Sequence, residues 1–568
     1  MCGFVGAIGP GLDLSRALPW LRRRGPDSQR LWSSADGRVA LLHARLAIVD
    51  RDERAHQPLA SDDGAVAVTL VGEIYNYQEV KADLQGFPFR TTSDTEVVLA
   101  AYLTYGREAF SRLKGMFTIA VVDERAGRVF LVRDAMGKKP LYLAQWGGVV
   151  LFGSSVLPLV AVRGAAASVD LSVLPQYWEH AFVPPAMSVV QGVKPVLPGD
   201  LLELDWNGGV IGHSRCEPAS QLVYGGEPAS EIRRNVATLL SQAVARRLHN
   251  NPQPTALLSG GIDSTLVTLL AGRAASASGD HAPLQTLTLG AVIPLTQDEG
   301  YARYAARRLG LSLQVLRTAR GRLSERILGA LAVQDEPLGM PSYFLLHQLV
   351  EAAAGFGRVL LTGDGGDEVF LGYRPTGDWH RPPGDPPCMP AVQVGPGPVD
   401  WMSPWARQVT GDTLLGHMFT KADRASAEQG VEIRCPLLDW DLVAYARSLP
   451  FEILAGDGRN KALLKDQLAG WPRWFLERRK LGFAFNLRWR WGLLGFDGLR
   501  ESVDREAVET FGELVPEPLR TDPSRWGSRD IFANFGAAWR LMTWSLFMRR
   551  LSSASVSEGT RLQTVSGI

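Results

Sequence analysis

Cysteine is scarce in this chain of 568 residues: the four present, Cys2, Cys216, Cys388 and Cys435, lie far apart and form no CxxC pair. That leaves no disulfide framework and no zinc-site spacing. A charge of one sign is also lacking, because 60 Lys and Arg offset 59 Asp and Glu for a formal net charge of +1. No long-range electrostatic case exists for nucleic acid or an acidic membrane surface. No run reaches the ~18 apolar residues of a membrane span, and no charged n-region leads into an apolar stretch at the start. The expectation is a cytoplasmic protein with neither nucleic-acid nor membrane partners. What the chain does have is length and 46% hydrophobic residues. One core seldom grows past ~250–300 residues, so two or three domains are expected.

The Gly-Lys-Ser/Thr of a Walker phosphate loop is missing too. Instead, an apolar run of Ala256, Leu257 and Leu258 leads into Ser259-Gly260-Gly261-Ile262-Asp263-Ser264-Thr265 and then a helical stretch. Two glycines let the backbone turn with its N–H groups inward, Ser259, Ser264 and Thr265 add hydroxyl donors, and the helix presents its positive end. Together these make an anion cradle. A carboxylate among such donors would repel phosphate unless a divalent cation lay between them, so Asp263 reads as a Mg²⁺ ligand. The plainer alternative is a strand-to-helix turn with capping serines. The stretch resembles the PP-loop of ATP pyrophosphatases, which hold the leaving pyrophosphate while an acid or carbonyl oxygen takes up AMP.

The chain opens Met1-Cys2-Gly3. With Met1 removed, Cys2 would carry a thiol nucleophile and a free amine of pKa about 7.7–8.0 to act as its base. A second-position cysteine is otherwise more often incidental. Downstream come Arg24-Gly25-Pro26-Asp27, Leu42-His43-Ala44-Arg45-Leu46, Gly72-Glu73-Ile74-Tyr75-Asn76, Ser93-Asp94-Thr95-Glu96, Gly115-Met116-Phe117, Arg133-Asp134 and Gly137-Lys138-Lys139-Pro140-Leu141-Tyr142. In this order they resemble the class II glutamine amidotransferase domain of asparagine synthetases, an N-terminal-nucleophile (Ntn) αββα fold of two stacked antiparallel sheets between helices. Alternating apolar stretches at 66–70, 118–122 and 129–132 agree with that.

The resemblance implies that Cys2 attacks the side-chain amide of glutamine, giving a thioester, glutamate and ammonia. It assigns Arg45 to the glutamine carboxylate, Asp94 to its amino group, Glu73 to the same pocket and the Gly72 N–H to the oxyanion. By themselves, Arg45 and Asp94 read as a surface ion pair. Two departures stand out. Val71 replaces the family Asn whose side chain is the second oxyanion donor, a loss that typically costs about 10²–10³ in rate. Ser154-Ser155-Val156-Leu157 replaces the common Ser-Glu-Ile-Lys near the domain junction.

Past about residue 228, helices alternate with short apolar strands, at 232–248, the cradle strand, 284–289, 301–309, 313–316 and 358–361. That order predicts a doubly wound parallel sheet with ligands at the carboxyl ends of its strands. One strand ends in Thr362-Gly363-Asp364-Gly365-Gly366-Asp367-Glu368, which is similar to the family's Ser-Gly-Glu-Gly-x-Asp-Glu. The resemblance makes Asp367 the second Mg²⁺ ligand and Asp364 a residue near the acyl-adenylate. It gives the ATP site as Leu258, Ser259, Gly260, Gly261, Asp263, Ser264, Thr265, Leu287, Thr362 and Gly363. In Arg478-Arg479-Lys480-Leu481-Gly482-Phe483 it assigns Lys480 as the cation opposite the developing phosphate charge. Asp335-Glu336-Pro337 resembles a further element of the cleft, with helix capping as the alternative for Glu336. Residues 421–426 and 432–439 resemble a helical block closing the site, with Cys435 in the core. Trp489, Trp491, Trp526, Trp539 and Trp544 read as the core of a closing helical layer.

The implied organisation is a glutaminase domain over 2–205, a linker over 206–227, an asparagine-synthetase-type ATP-binding domain over 228–551 and a disordered tail over 552–568. The implied substrates are glutamine, ATP with Mg²⁺, and a small carboxylic acid, which is adenylated and then amidated with release of AMP and pyrophosphate. Aspartate is the family default. A specialised-metabolite acid is also expected, because 309–314 and 338–343 lack the acidic and histidine residues of ordinary asparagine synthetases. One rival is an intramolecular amide former like β-lactam synthetases or lasso-peptide cyclases; Cys2 argues against it and Val71 for it. The other is a non-catalytic relative, opposed by Asp263, Asp367 and Lys480. A homodimer through the N-terminal domain is a family-level expectation.

Overall fold

The computed structural model describes the chain apart from residues 221, 250, 252, 279–281, 291–297, 318–322, 373–412, 456–458, 479–496 and 557–568. Apolar alternation in the N-terminal part builds the strands Gly3–Ile8 (β1), Ser28–Ser33 (β2), Val39–Arg45 (β3), Leu59–Ala60 (β4), Val66–Ile74 (β5) and Gly115–Asp123 (β6). Arg128–Arg133 (β7), Tyr142–Trp146 (β8), Val149–Gly153 (β9), Val193–Pro195 (β10), Asp200–Asp205 (β11) and Val210–Arg215 (β12) follow. They form two six-stranded antiparallel sheets, ordered β10-β8-β9-β1-β3-β2 and β12-β11-β7-β6-β5-β4. Phe4, Ile8, Val39 and Leu41 of one sheet share a buried cluster with Ala67, Val71, Ala120 and Leu131 of the other. On the outer face of the second sheet, Val68 and Leu70 pack with Val97, Val98 and Ala101 of the helix Asp94–Tyr105. The layering is therefore αββα, as expected.

The C-terminal part holds a parallel sheet of Thr255–Leu257 (β13), Gln285–Leu289 (β14), Leu313–Leu316 (β15), Val359–Leu361 (β16) and Glu432–Arg434 (β17), ordered β15-β14-β13-β16-β17. The chain winds one way from β13 through β14 to β15, and the other way through β16 to β17. The crevice at the carboxyl ends of β13 and β16 is therefore the topological switch point, where such sheets bind ligands. Helices Ala229–Leu248 and Ile262–Ser278 cover one face. On the other, Leu287, Leu360 and Ile433 belong to the same buried cluster as Val5, Ala7 and Leu151 of the first sheet and Trp539 and Trp544 of the helix Phe535–Ser555. One apolar core thus runs through both halves. No helix among the described residues is long and apolar enough to cross a membrane.

Two expected boundaries shift. The linker expected over 206–227 contains β12, which pairs with β11 and shields its edge. Val210 and Ile211 are exposed, so hydropathy carries little sign of that strand. The helix Phe535–Ser555 also runs past 551, because Leu551 and Ala554 still face the core.

Charged pairs cross between the halves. Arg24 donates to both carboxylate oxygens of Asp423 at 2.9 and 3.1 Å, with both side chains buried. Lys114 reaches Asp441 at 2.8 Å. Asp335 accepts from the Val156 and Leu157 N–H groups at 2.6 and 2.9 Å, capping the helix Val156–Arg163 of the opposite half. Removing one partner of a buried pair strands the other charge. Asp423→Ala should therefore lose about 3–5 kcal/mol in denaturant unfolding, whereas Arg24→Met combined with Asp423→Leu should lose less.

Candidate active site

Cys2 lies just before β1, where its Sγ accepts from the Leu46 N–H at 3.2 Å, immediately beyond β3. Arg45, Gln57, Gly72, Ser93, Asp94 and Glu432 line the same pocket. Met1 is buried beside it, its sulfur 3.4 Å from Arg24 Nη2 and 3.1 Å from Lys139 Nζ. Burial pushes the Met1 amine down to about 5 and the Cys2 thiol up. In the Met1-bearing chain the free amine is thus one residue away from the Cys2 thiol.

Gly72 holds φ at 117°, and a Cβ there would meet the Met116 carbonyl at 1.9 Å. Only glycine fits between β5 and β6 at this point. Val71 is fully buried in the cluster between the sheets, against which Cys2 packs. Its methyls stand where the family has an amide. Arg45 and Asp94 are both buried rather than paired at the surface. Arg45 donates to the Asp50 and Asp52 carbonyls, while Asp94 accepts from the Ile74 N–H at 3.0 Å at a helix N-terminus.

Glu73 is held by Arg434, which also donates to Glu432 at 2.9 Å. Burial, helped by Glu432, raises the Glu73 carboxyl. At Glu432 burial acts the same way but is outweighed by Arg434 and Lys139, which keep it low. Glu73 is therefore the member of the pair that carries a proton most readily. The pocket at Cys2 is thus finished by β17 of the other half.

The second cluster lies at the switch point. The Leu258 N–H bonds the Leu287 carbonyl at 2.9 Å, continuing β13 into the loop. Ser259 and Ser264 hydroxyls meet at 3.0 Å, and the Gly261 N–H reaches Ser259 Oγ at 3.4 Å. Gly260 takes φ +71° and backs so closely onto the helix Asp298–Leu309 that a Cβ would lie 2.5 Å from the Ala302 nitrogen. Among the described residues, the buried Thr265 hydroxyl has no hydrogen-bond partner. Gly363 and Gly366 pack the second turn onto Asp263 and Ser264, where a Cβ on either would come within 2.5–2.6 Å. The Thr362 hydroxyl donates to Asp364 at 2.8 Å, and the Thr362 N–H to the Arg434 carbonyl at 3.0 Å.

Asp263 and Asp367 both bond the Lys461 ammonium, Asp367 at 2.7 Å. Lys421 lies near Asp364; burial lowers it despite that charge. Arg478 pairs with Asp298 at 3.2 Å and stacks over Tyr301. Lys480 lies outside the described residues, as do Trp489 and Trp491. Cys435 is buried, 3.5 Å from the Thr362 hydroxyl, and Trp526, Trp539 and Trp544 are core.

Some expectations move. Asp335, rather than Glu336, is the helix cap, while Glu336 pairs with Arg424 at 3.1 Å and accepts from Tyr142 at 2.8 Å. Leu338 and Gly339 pair with Phe182 and Ala181 of the N-terminal half. Sequence reasoning gave Glu432, Arg434 and Lys461 no individual role, because Arg434 meets Glu73 across 361 positions and Lys461 meets Asp263 across 198, separations that no local pattern marks.

An amidotransferase layered as αββα stands here before an ATP-pyrophosphatase-type parallel sheet, and that pairing defines the class. A glutamine amidotransferase domain model matches residues 1–213, and an asparagine synthase model matches 235–393 and 395–510. Asparagine synthetase [glutamine-hydrolyzing] 3 of Bacillus subtilis is 25% identical over 532 residues, covering 83% of this chain and 84% of that relative. Asparagine synthetase [glutamine-hydrolyzing] 1 of Arabidopsis thaliana is 26% identical, covering 94% of this chain and 86% of that relative. The glutamine phosphoribosylpyrophosphate amidotransferase structure from B. subtilis aligns at 14% identity over 64% of this chain and 81% of its own, but its TM-score of 0.29 carries no argument. The chain belongs to the glutamine-hydrolysing asparagine synthetase family.

Burial raises the Asp94 carboxyl to about 6. A raised folded value means that Asp94 contributes stability below its unfolded pKa of about 3.9, and this is lost as pH rises through the folded value. Its ionised form is the one that attracts an ammonium. Accordingly, kcat/KM for glutamine should fall as pH drops below about 6, and Asp94→Asn should lower kcat/KM while flattening that limb of the profile.

Proposed function

We propose that this chain moves ammonia from glutamine onto an adenylated carboxylate, using two units divided between Arg215 and Ala229. Cys2, freed of Met1, attacks the glutamine amide while its own amine takes the thiol proton and passes it to the departing ammonia. Arg45 and Asp94 hold the two ends of the amino acid, and the Gly72 N–H faces the oxyanion. Water then releases glutamate from the thioester. In the second unit, residues 259–265 grip the phosphates of ATP, and the acceptor carboxylate attacks the α-phosphorus to expel pyrophosphate. Ammonia then displaces AMP, a far better leaving group than oxide. Asp364, with Lys421 nearby, is assigned to the acyl-adenylate, and Lys480 to the phosphate charge by resemblance alone.

Asp263 and Asp367 already converge on one cation, the Lys461 ammonium. Two hard carboxylate donors in that arrangement fit Mg²⁺, which would screen them from the phosphates when bound.

The single observation that carries this reading is strand β17. Glu432 at its start lines the glutamine pocket, and Cys435 just past its end meets Thr362 beside Asp364. A cavity lined by Arg24, Lys138, Ser155, Phe419 and Asp423 lies at the same boundary, which supports passage of ammonia between the units. For the acceptor we favour a specialised-metabolite acid over free aspartate, on the composition of 309–314 and 338–343. The enzyme is assigned to the cytoplasm, and a homodimer through the first unit remains a family-level expectation.

The test is glutamate release from glutamine by the Met1-free protein against Cys2→Ala, with and without Mg-ATP and a panel of acids. Release that depends on Cys2 and rises up to about 10²-fold in Val71→Asn is expected. If no acid and no ATP elicits Cys2-dependent glutamate, the intramolecular amide former, to which Val71 points, takes its place. If aspartate alone is amidated, the specialised acceptor is wrong.

A further inference from the structure

Lys461 is an unusual residue in an unusual place. It is buried, it holds φ at +54° although it is not glycine, and it opens the helix Ala462–Asp466. Its N–H is tied to the Phe370 carbonyl at 3.1 Å, just beyond the acidic turn. The ammonium then reaches Asp263 from one turn and Asp367 from the other. Gly372 makes room for this closure, since a Cβ there would meet Lys461 Cε at 2.1 Å and Asp367 Oδ1 at 2.0 Å.

We propose that Lys461 is a built-in placeholder for the divalent cation. In the ATP-free protein its ammonium keeps Asp263 and Asp367 together, so metal enters with ATP and not before it. The inference rests on reading those two carboxylates as metal ligands.

The reason is electrostatic. Two carboxylates converging in a buried site need a cation, and without one they repel each other. A divalent ion and an ammonium cannot both occupy the point where the carboxylates meet, because like charges at contact distance in a poorly solvated site repel strongly. Metal alone would have to take both carboxylates from the ammonium without bringing phosphates to receive it. Metal arriving with ATP brings phosphates into the adjacent 259–265 cradle, and the ammonium can move onto these as its carboxylates pass to the metal. Charge at the site then stays balanced throughout.

The experiment is Mn²⁺ binding to the full-length protein, followed by loss of the free-ion EPR signal, without nucleotide and with a non-hydrolysable ATP analogue. Without nucleotide, Lys461→Gln should bind Mn²⁺ at least about tenfold more tightly than wild type, and Lys461→Arg should not. If Lys461→Gln binds no more tightly, the placeholder role is overturned. Should Lys461→Gln prove too unstable for titration, its melting temperature is the readout. A rise with Mn²⁺ alone supports the proposal, and indifference to Mn²⁺ refutes it. The ligand reading is judged separately: nucleotide-dependent Mn²⁺ binding in wild type should disappear in Asp263→Asn and in Asp367→Asn, and its persistence would overturn that reading instead.

Discussion

The burial of Arg434 is the constraint on which both candidate sites depend. Its guanidinium is shut off from water, and it is satisfied by Glu73, Glu432, the Arg247 carbonyl at 2.7 Å and the face of Tyr75. A buried charge without such partners would be prohibitively unfavourable, so these groups have to assemble together. Glu73 belongs to an antiparallel strand of the first half and Glu432 to the parallel sheet of the second. The Arg434 carbonyl also receives the N–H of Thr362, which in turn orients Asp364. One short strand therefore sets the geometry of the pocket at Cys2 on one side and of the crevice at the switch point on the other.

Both sites set acidic side chains against buried cations. Around Cys2 the pocket gathers Glu73, Asp94 and Glu432, with Arg45 at its lining and Arg434 holding Glu73 and Glu432. Burial keeps Asp94 and Glu73 easily protonated, so the pocket does not carry the full repulsion of three carboxylates. At the switch point, Lys461, Lys421 and Arg478 surround the cradle and are balanced by Asp263, Asp364, Asp367 and Asp298. A polyanion can enter there by exchanging partners rather than by bringing unbalanced charge.

The contact between the halves is also what makes the first site sensitive to the second. Arg24 donates to the Cys2 carbonyl at 3.1 Å while its guanidinium is gripped by Asp423. The nucleophile's backbone is thus positioned through a side chain of the synthetase half. The replacement of the family's Ser-Glu-Ile-Lys by Ser154-Ser155-Val156-Leu157 finds its counterpart in the same interface, where Asp335 caps the helix that begins there.

The sequence by itself determined what local pattern can encode. Apolar stretches located β5, β6 and β7 and four of the five parallel strands, and the ordered motifs identified the family, because each depends on residues close together in the chain. It was weaker at β12, where exposed Val210 and Ile211 carry no burial signal, and at 335–337, where capping was an alternative for Glu336 but the cap is Asp335, on a helix that lies 179 residues earlier. Only the tertiary structure decided that Glu432, held by Arg434, lines the pocket at Cys2, that Asp423 holds Arg24 against the Cys2 carbonyl, and that Lys461 sits between Asp263 and Asp367. Those assignments depend on which buried charges meet. Buried charges choose partners by distance in space and by the need to be neutralised away from water, and neither is written in the spacing of residues along the chain.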